Sequence, residues 1–413
     1  MSLLRLDEYR VLSREVLFLV LVNSIFGFAI GFGAPSVAPL IVFVNVSMTF
    51  VGNVRAFSQA VATLIRPLLG PLIDRHGAKP FYLLGGVVTT VGYLSYALTE
   101  SWLLLAAGLM LTSSDVFLRS FASTTAIGSW SEPETRGKAF SLDMGAGQVA
   151  SMIAPLMGGY VADQLQLSFR WIFGTVVGLM IVGLALMATR HSPSKRPEGV
   201  EAVSFKAYLR QAFSIDRRLR SFAMILVLDW TVWGLSFPFY QLFIYKQLGA
   251  TTEQLGIVVA ISSASPAIVG FLLGPMLDRW KPKWFLAVSE LVAIGSITPI
   301  LVGTRPEVAY LSAVFWGLNY GLWVPAMHSL ILDTVGSKSF GRASGSVNVL
   351  ASLLSIPSPA IAGWLYDNVS PKVPFIVTLI GAIAIGVLML ALLKEPNGTQ
   401  SSDTATSIRQ EGM

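Results

Sequence analysis

Charged side chains interrupt several long apolar stretches of this 413-residue sequence, and they are the residues best placed to do chemistry. Asp115 and Arg119 lie four residues apart, so they share one face of a helix and can form an ion pair. Asp229 stands in another apolar stretch, with no basic residue nearby. Because apolar surroundings penalise the ionised form of a carboxyl group, Asp229 favours its neutral form until water or a partner reaches it. Asp229 is therefore the leading candidate to bind and release a proton.

Two stripes of aromatic and polar side chains accompany these charges. Trp233 and Tyr240 follow Asp229 at i+4 and i+11, on the same helical face. Asn319 and Trp323 lie along one side of a later apolar stretch. Such stripes usually pack inside a protein, but where they face a cavity they suit an amphipathic organic compound.

Arg55 is a further charge inside an apolar stretch. Arg66, near the end of the same stretch, can extend its long side chain to polar surroundings. Arg55 lies too far from that end to do so, and we expect it to hold an anionic group or to pair with an acid. Glu290, near the edge of a different stretch, is interpreted as a packing residue.

The composition excludes several classes of chemistry. The chain has no cysteine and only three widely spaced histidines, so neither a disulfide framework nor zinc-ligand spacing occurs. The sequence also contains no GxxxxGK[ST] phosphate-binding loop. We therefore expect no cofactor, no metal site and no enzymatic activity.

The apolar stretches themselves indicate a membrane protein. Only 13% of the residues are charged, against about 25% in soluble domains, and the mean hydropathy is +0.66. Such a composition excludes a disordered chain and a nucleic-acid-binding protein. The lipid bilayer is the expected surroundings of this chain.

Twelve segments are long and apolar enough to span a bilayer, which takes about 20 residues each. We predict an all-α membrane protein with twelve transmembrane helices and both termini on one side. The first six segments lie near residues 16–44, 50–73, 80–98, 102–130, 138–161 and 169–189. The second six lie near residues 220–246, 253–277, 284–303, 308–332, 342–366 and 372–393.

The basic residues orient these segments. The termini and the loops on their side of the membrane carry 22 Lys and Arg residues, and the opposite loops carry four. Because cationic loops resist translocation, we expect both termini in the cytoplasm and the protein in the plasma membrane.

An internal repeat divides the chain. Gly70-Pro-Leu-Ile-Asp74-Arg75 recurs 204 residues later as Gly274-Pro-Met-Leu-Asp278-Arg279. A second block, Ala139…Pro155…Gly159…Asp163, recurs at the same offset as Ala343…Pro359…Gly363…Asp367. Two blocks with one offset predict two pseudo-symmetric six-helix bundles in parallel orientation, as in transporters.

The predicted domains follow from this repeat. The first bundle covers residues 1–189 and the second covers residues 220–394. Residues 190–219 form a basic cytoplasmic linker in which an apolar face with helical spacing indicates an amphipathic helix, or a connector with an incidental apolar face. We expect the Ser/Thr-rich tail, residues 395–413, to be disordered.

The block that begins at Gly70 resembles the G-x-x-x-D-R-x-G-R-K signature of the major facilitator superfamily, and it lies between the second and third segments, as in that family. The copy between the eighth and ninth segments is degenerate, with Lys281 in place of the second glycine. In the resembled family this cluster acts as a latch of the cytoplasmic gate. Arg75 and Lys79 can pair with acids at helix ends, such as Glu132 or Glu134. The expected gating residues are Gly70, Asp74, Arg75, Gly77, Lys79, Asp278 and Arg279.

The resemblance also implies a function. Arg119 resembles the fourth-segment arginine of proton antiporters, and Ala154-Pro155-Leu-Met-Gly158-Gly159 resembles the G-P-x-x-G-G element of proton-coupled exporters. In the resembled fold, segments one, four, seven and ten line a central cavity, which places the stripe of Asn319 and Trp323 opposite Asp115 and Arg119.

We therefore expect a secondary active transporter that works by alternating access and exports an amphipathic organic compound by proton antiport. One alternative is proton-linked uptake (symport) or exchange of a small organic anion held by Arg55 and Arg119. A second alternative is a non-transporting receptor built on a transporter scaffold. The expected partners are a small-molecule substrate, protons and lipid, without nucleic acid, and the expected state is a monomer.

Overall fold

The structure, a computed structural model, describes residues 12–132, 134–190, 214–277 and 281–393. Within these ranges the chain forms twelve helical segments, six before residue 191 and six after residue 213. Within each half, short loops reverse the chain between segments. The start of the second segment lies beside the end of the eleventh, where Thr49 bonds to Asp367, so the first segment starts and the last one ends on the same side. We call this the terminus side and the opposite one the far side. Most of the predicted linker, residues 191–213, and the predicted tail, residues 395–413, lie outside the described residues.

The first half contains helices α1 to α8. Its fourth segment is broken into three short helices, where the sequence predicted one continuous span. The helices are α1 (Arg14–Phe43), α2 (Met48–His76), α3 (Ala78–Ala97), α4 (Trp102–Thr112), α5 (Ser114–Phe117), α6 (Arg119–Trp130), α7 (Arg136–Gln164) and α8 (Phe169–Thr189).

The second half contains helices α9 to α16. The seventh segment of the chain begins with a 3-10 turn (Arg217–Leu219) and is broken by a second one (Phe237–Phe239) that contains Pro238. The eleventh segment is broken into two helices between Leu354 and Ser358. The helices are α9 (Arg220–Ser236), α10 (Tyr240–Leu248), α11 (Thr252–Leu277), α12 (Pro282–Val302), α13 (Val308–Val335), α14 (Ser337–Leu354), α15 (Ser358–Asn368) and α16 (Val373–Leu392).

The helices have the length and composition of membrane spans. In the described part of the chain, seven helical segments are both long enough and apolar enough to cross a membrane. An eighth also is if the bent pair Met48–Arg66 and Leu68–His76 counts as one span. Other segments, such as α3 with 20 residues and α7 with 29, are also long enough to cross about 30 Å of hydrocarbon. The protein is an all-α, multi-pass membrane protein.

The apolar core shows where the halves meet. One cluster of buried side chains runs through the first half and continues into the far-side ends of the second half, at residues such as Phe239, Leu255 and Phe375. A separate cluster, which includes Phe222 and Ile331, fills the terminus side of the second half alone. The halves therefore share a core on the far side and are separate on the terminus side.

Candidate functional site

A central cavity of about 1150 Å³ lies between the two halves. Its volume exceeds what a drug-sized molecule needs. Helices of both halves contribute to its wall. Six residues singled out from the sequence line it, namely Arg55, Asp229, Trp233, Tyr240, Asn319 and Trp323.

An aromatic cluster centred on Trp316 forms the wall of the second half. The ring of Trp233 meets that of Trp316 edge to face at 5.1 Å, and the ring of Phe237 stacks on it at 5.4 Å. Tyr240 also packs against Trp316, at 5.4 Å, while its hydroxyl pairs with Ser312 Oγ at 2.7 Å. Aromatic faces at these spacings offer a rigid apolar surface to a flat ligand.

Two further side chains of α13 complete this wall. The amide of Asn319 donates to the carbonyl of Ser289 at 2.8 Å, which fixes its orientation. The indole N–H of Trp323 is buried and has no acceptor. A buried donor without a partner is costly, so it is available to a ligand.

Two acids lie in the same wall. Asp229 on α9 is 4% exposed and Glu290 on α12 is fully buried, and both line the cavity. The carboxyl groups are near enough to interact electrostatically, and both face the side chain of Trp233. Among the residues that the structure describes, neither Glu290 oxygen nor Asp229 Oδ1 has a hydrogen-bond partner. Glu290, interpreted from the sequence as a packing residue, is thus part of the cavity wall beside Asp229.

Arg55 provides the positive charge of the wall in the first half. It lines the cavity from α2, and its buried Nε has no hydrogen-bond partner. No acid in the described part of the chain forms an ion pair with it. Of the two expectations for Arg55, pairing with an acid is absent in this conformation, and binding of an anionic group stays a prediction.

Asp115 and Arg119 form the expected ion pair, away from the cavity wall. The guanidinium Nη2 donates to Asp115 Oδ2 at 3.0 Å, and Nε donates to Oδ1. Arg119 also donates to Asn23 Oδ1 at 3.2 Å and covers the ring of Phe26 at 4.6 Å. Both residues are buried, at 9% and 7% exposure.

Asn23 extends this network across the first half. Its amide donates to Asp143 Oδ1 at 2.7 Å and to Ser123 Oγ, and its Oδ1 accepts from the hydroxyl of Tyr82. The network thus joins α1, α3, α6 and α7. Sequence reasoning missed Asn23, because a lone asparagine in an apolar helix has no spacing that identifies its partners. The geometry favours a stabilising ion pair, and use of Asp115 and Arg119 in the substrate or proton pathway stays a prediction.

Replacing Asp115 with Asn is expected to lower stability strongly. The substitution leaves Arg119 buried without a counter-charge, which costs about 3–5 kcal/mol. The melting temperature of the purified protein in detergent measures the effect. The matched control is Glu100→Gln, because Glu100 pairs with Arg170 through exposed side chains, and an exposed pair contributes at most about 1 kcal/mol. Equal melting temperatures for the two variants would contradict a stabilising role of the buried pair.

Two aspartates join the two halves on the far side, along a line of contact that we call the seam. Asp163 near the end of α7 accepts a hydrogen bond from the backbone N–H of Glu253, in the first turn of α11, at 2.6 Å. Asp367 near the end of α15 accepts one from the backbone N–H of Thr49, in the first turn of α2, at 2.7 Å. Each carboxylate caps a helix of the other half, where the helix dipole favours an anion. The contacts obey the repeat, since Asp367 and Glu253 lie 204 residues after Asp163 and Thr49.

Glycines allow the backbones to meet at this seam. A Cβ added to Gly159 would lie 2.7 Å from the carbonyl oxygen of Thr252, and one added to Gly363 would collide with the carbonyl oxygen of Met48. The same repeat relates these contacts, because Gly363 and Thr252 lie 204 residues after Gly159 and Met48. The far side is therefore closed by backbone contact.

Two glutamines form the next pair of contacts towards the cavity. Gln59 donates to the carbonyl of Ser352 at 3.3 Å, and Gln148 donates to that of Ser263. Ser263 and Ser352 lie 204 residues after Gln59 and Gln148. On the terminus side the same helices are packed less closely, since a Cβ added to Gly70 of α2, Gly137 of α7 or Gly341 of α14 would meet no atom within 4 Å. The cavity is thus closed towards the far side.

The expected gating residues on the terminus side make few contacts here. Gly77 takes a positive φ of 83° in the turn between α2 and α3, which only glycine adopts easily, whereas a Cβ added to Gly70 would meet nothing. Lys79 donates to the backbone carbonyls of Ala188 and Arg190, not to Glu132 or Glu134. Asp74 and Arg75 form no hydrogen bond or ion pair within the described ranges. The other two expected gating residues, Asp278 and Arg279, lie outside the described residues.

Comparisons with known proteins identify the family. The sequence profile of the Major Facilitator Superfamily matches residues 16–228 and 222–408. The chain belongs to the major facilitator superfamily. It is a secondary transporter rather than an enzyme, and members of the superfamily bind small-molecule substrates. Among the residues that the structure describes, no group of three or more acids and histidines is placed to hold a metal ion.

Relatives within the superfamily differ in what they carry. The chain is 23% identical to multidrug resistance protein 1 of Bacillus subtilis, over 94% of this chain and 99% of the relative. It is 25% identical to monocarboxylate transporter 11 of Homo sapiens, over 76% of this chain and 68% of the relative. These names are compatible with both the export and the organic-anion expectations.

Solved structures of the superfamily share the fold. The crystal structure of the nucleoside transporter NupG matches with a TM-score of 0.71 at 15% identity, over 92% of this chain and 98% of the other. The crystal structure of the D-xylose-proton symporter matches with a TM-score of 0.67 at 16% identity, over 93% of this chain and 99% of the other. At these identities the major facilitator fold is shared and the substrate is not indicated.

Proposed function

We propose that the chain exports an amphipathic organic compound across the plasma membrane in exchange for protons. In this proposal the protein acts as a monomer, and the terminus side, with 22 of the basic residues, is cytoplasmic. The conformation described above is then the inward-facing state, with the external seam closed. Alternating access requires this seam to open while the terminus side closes.

The observation that carries the proposal is the position of Asp229. Its carboxyl group is buried in the wall of the cavity and adjoins the aromatic cluster around Trp316. No residue that the structure describes forms an ion pair with it. An ionised carboxylate in such surroundings is costly. Asp229 therefore favours its neutral, protonated form and is stable as an anion only when a cationic group binds. Proton and substrate then compete for one group, which is the requirement for antiport.

Arg55 supports the alternative function. A half-buried guanidinium in the cavity wall suits a carboxylate, and similarity to a monocarboxylate transporter points in the same direction. Uptake of a small organic anion would then move the proton and the substrate in the same direction.

Proton flux in liposomes separates these functions. Purified protein is reconstituted with a pH-sensitive dye inside, and aromatic amines or aromatic carboxylates are added outside with the membrane potential clamped. Antiport predicts that entry of an amine drives protons out, whereas symport predicts that entry of a carboxylate brings protons in. If no compound of either class moves or shifts the internal pH, the receptor alternative is favoured and the proposed antiport is wrong.

A further inference from the structure

We infer that the transported compound is an elongated aromatic zwitterion, whose anionic group binds Arg55 and whose cationic group binds Asp229. This inference names the substrate class of the cavity and rests on the proposed function of that cavity as a transport site. It differs from both functions considered above, which need only one charged group on the substrate.

The first step is the sign of the charges. The cavity wall carries Arg55 on a helix of the first half and Asp229 with Glu290 on helices of the second half. Within the described part of the chain, no hydrogen-bond partner reaches four buried atoms, namely Arg55 Nε, Asp229 Oδ1 and both Glu290 carboxyl oxygens. The guanidinium of Arg55 is half-buried and the two carboxyl groups are buried. Charges of opposite sign that are not paired with each other in one cavity are stabilised together by a ligand that carries both complementary charges.

The second step is the net charge of the acids. Two neighbouring buried carboxyl groups do not both ionise, because each anion raises the cost of the other. Glu290 is fully buried whereas Asp229 retains slight exposure, so the negative charge belongs on Asp229. The wall then carries one positive and one negative charge, which matches a ligand of zero net charge. His328 also lines the cavity, and its imidazole ring packs on the ring of Phe340 at 6.0 Å.

The third step is the separation of the charges. Arg55 lies seven residues, or about 10 Å, from the far-side end of α2, and Asp229 lies nine residues, or about 14 Å, from the terminus-side end of α9. The charges are therefore offset along the membrane normal as well as across the cavity, and no ion pair joins them within the described ranges. A ligand that reaches both must be longer than a simple amino acid.

The fourth step is the surface between the charges. The aromatic cluster of Trp233, Phe237, Tyr240 and Trp316 lines the cavity beside Asp229 and extends from it along the seventh segment towards the far side. A rigid aromatic body packs on such rings and loses little conformational entropy on binding. The middle of the ligand is therefore aromatic.

A matched series of probes tests the inference. The zwitterions are 4-(aminomethyl)benzoic acid and its homologues with two and three para-linked rings. For each length, the methyl ester is the purely cationic probe, the N-acetyl acid is the purely anionic probe, and the N-acetyl methyl ester is neutral. Binding to the full-length protein in detergent is measured by isothermal titration calorimetry.

We expect the two-ring or three-ring zwitterion to bind at least about tenfold more tightly than its ester or its N-acetyl derivative, because a hydrogen bond to a charged group contributes about 10- to 100-fold in affinity. The one-ring zwitterion, too short to reach both charges, is expected to lose this advantage. Arg55→Gln should lower the affinity for the long zwitterion to that for its ester, and should leave the affinity for the ester unchanged. Asp229→Asn should lower the affinity for the zwitterion and for the ester, and should leave the affinity for the N-acetyl acid unchanged.

Arg55→Lys is the control for folding, because it retains the positive charge and should preserve most of the zwitterion preference. The inference is overturned if a singly charged probe binds as tightly as the zwitterion of the same length, if Arg55→Gln affects both equally, or if no probe binds. Proton-coupled transport of another compound would still support the proposed function in that case. Conversely, zwitterion binding without any pH-driven transport would refute the proposed function and retain the ligand class.

Discussion

Replacing Asp229 with Asn is expected to collapse the substrate gradient that a pH gradient can build. One pH unit corresponds to about 1.4 kcal/mol, so one-to-one exchange with a proton at zero membrane potential sustains about a tenfold substrate ratio. An amide of the same shape neither binds nor releases the proton, and the ratio should fall to about one. Accumulation of the transported compound in liposomes at an imposed pH difference measures this ratio.

Two controls separate lost coupling from lost structure. Counterflow of labelled against unlabelled compound needs no proton, so Asp229→Asn should retain it to the extent that the weakened substrate binding allows. Asp216→Asn makes the same chemical change at the residue that precedes the 3-10 turn Arg217–Leu219, where the Asp216 carboxylate accepts hydrogen bonds from Arg218, and should leave the tenfold ratio intact. A wild-type ratio in Asp229→Asn would show that another group carries the proton.

Glu290→Gln is expected to retain coupling, although Glu290 lies beside Asp229. Glu290 is fully buried, so its neutral form is the stable one throughout the cycle, and a neutral amide reproduces that charge. The same accumulation assay tests this asymmetry. If Glu290→Gln abolished accumulation and Asp229→Asn did not, the proton would have to be assigned to Glu290.

Much of the fold was predictable from the sequence because a bilayer imposes length and apolarity on each span. The observed bounds of α1, α8 and α16 differ from the predicted segments by a few residues at most, since these helices are apolar along their whole length. The breaks in the fourth, seventh and eleventh segments were not predicted. They lie at Ser113, Leu118, Phe237–Phe239 and Ser355–Pro357, where short polar stretches and single prolines do not interrupt the hydropathy pattern.

The candidate site was predictable where helical spacing decided the outcome. Asp229, Trp233 and Tyr240 were placed on one face, and all three line the cavity. Contacts between distant helices have no such spacing, which is why the role of Glu290 beside Asp229 was missed. The far-side aspartates show an intermediate case. The repeat identified Asp163 and Asp367 as equivalent, but only the fold shows that each caps a helix of the other half.

The far-side seam leads to the second large effect, which concerns the equilibrium between conformations. The double substitution Gly159→Ala and Gly363→Ala places a Cβ against the carbonyls of Thr252 and Met48, where no space exists. Overpacking costs about 1–3 kcal/mol per site. Since these contacts exist only while the seam is closed, we expect the population of the far-side-open state to rise at least about tenfold.

Labelling of an introduced cysteine measures this shift, because the natural chain has none. Ile41 is buried at the far-side end of the cavity, so Ile41→Cys should react with an impermeant maleimide added on the far side at least about tenfold faster in the double variant. The matched control is Gly137→Ala with Gly341→Ala, a pair also related by the repeat, on α7 and α14, where an added Cβ meets no atom within 4 Å. Both pairs replace glycine within a helix and gain the same helix propensity. They differ only in whether the new methyl group meets the other half, so equal labelling in the two pairs would show that backbone contact at the seam does not hold the far side closed.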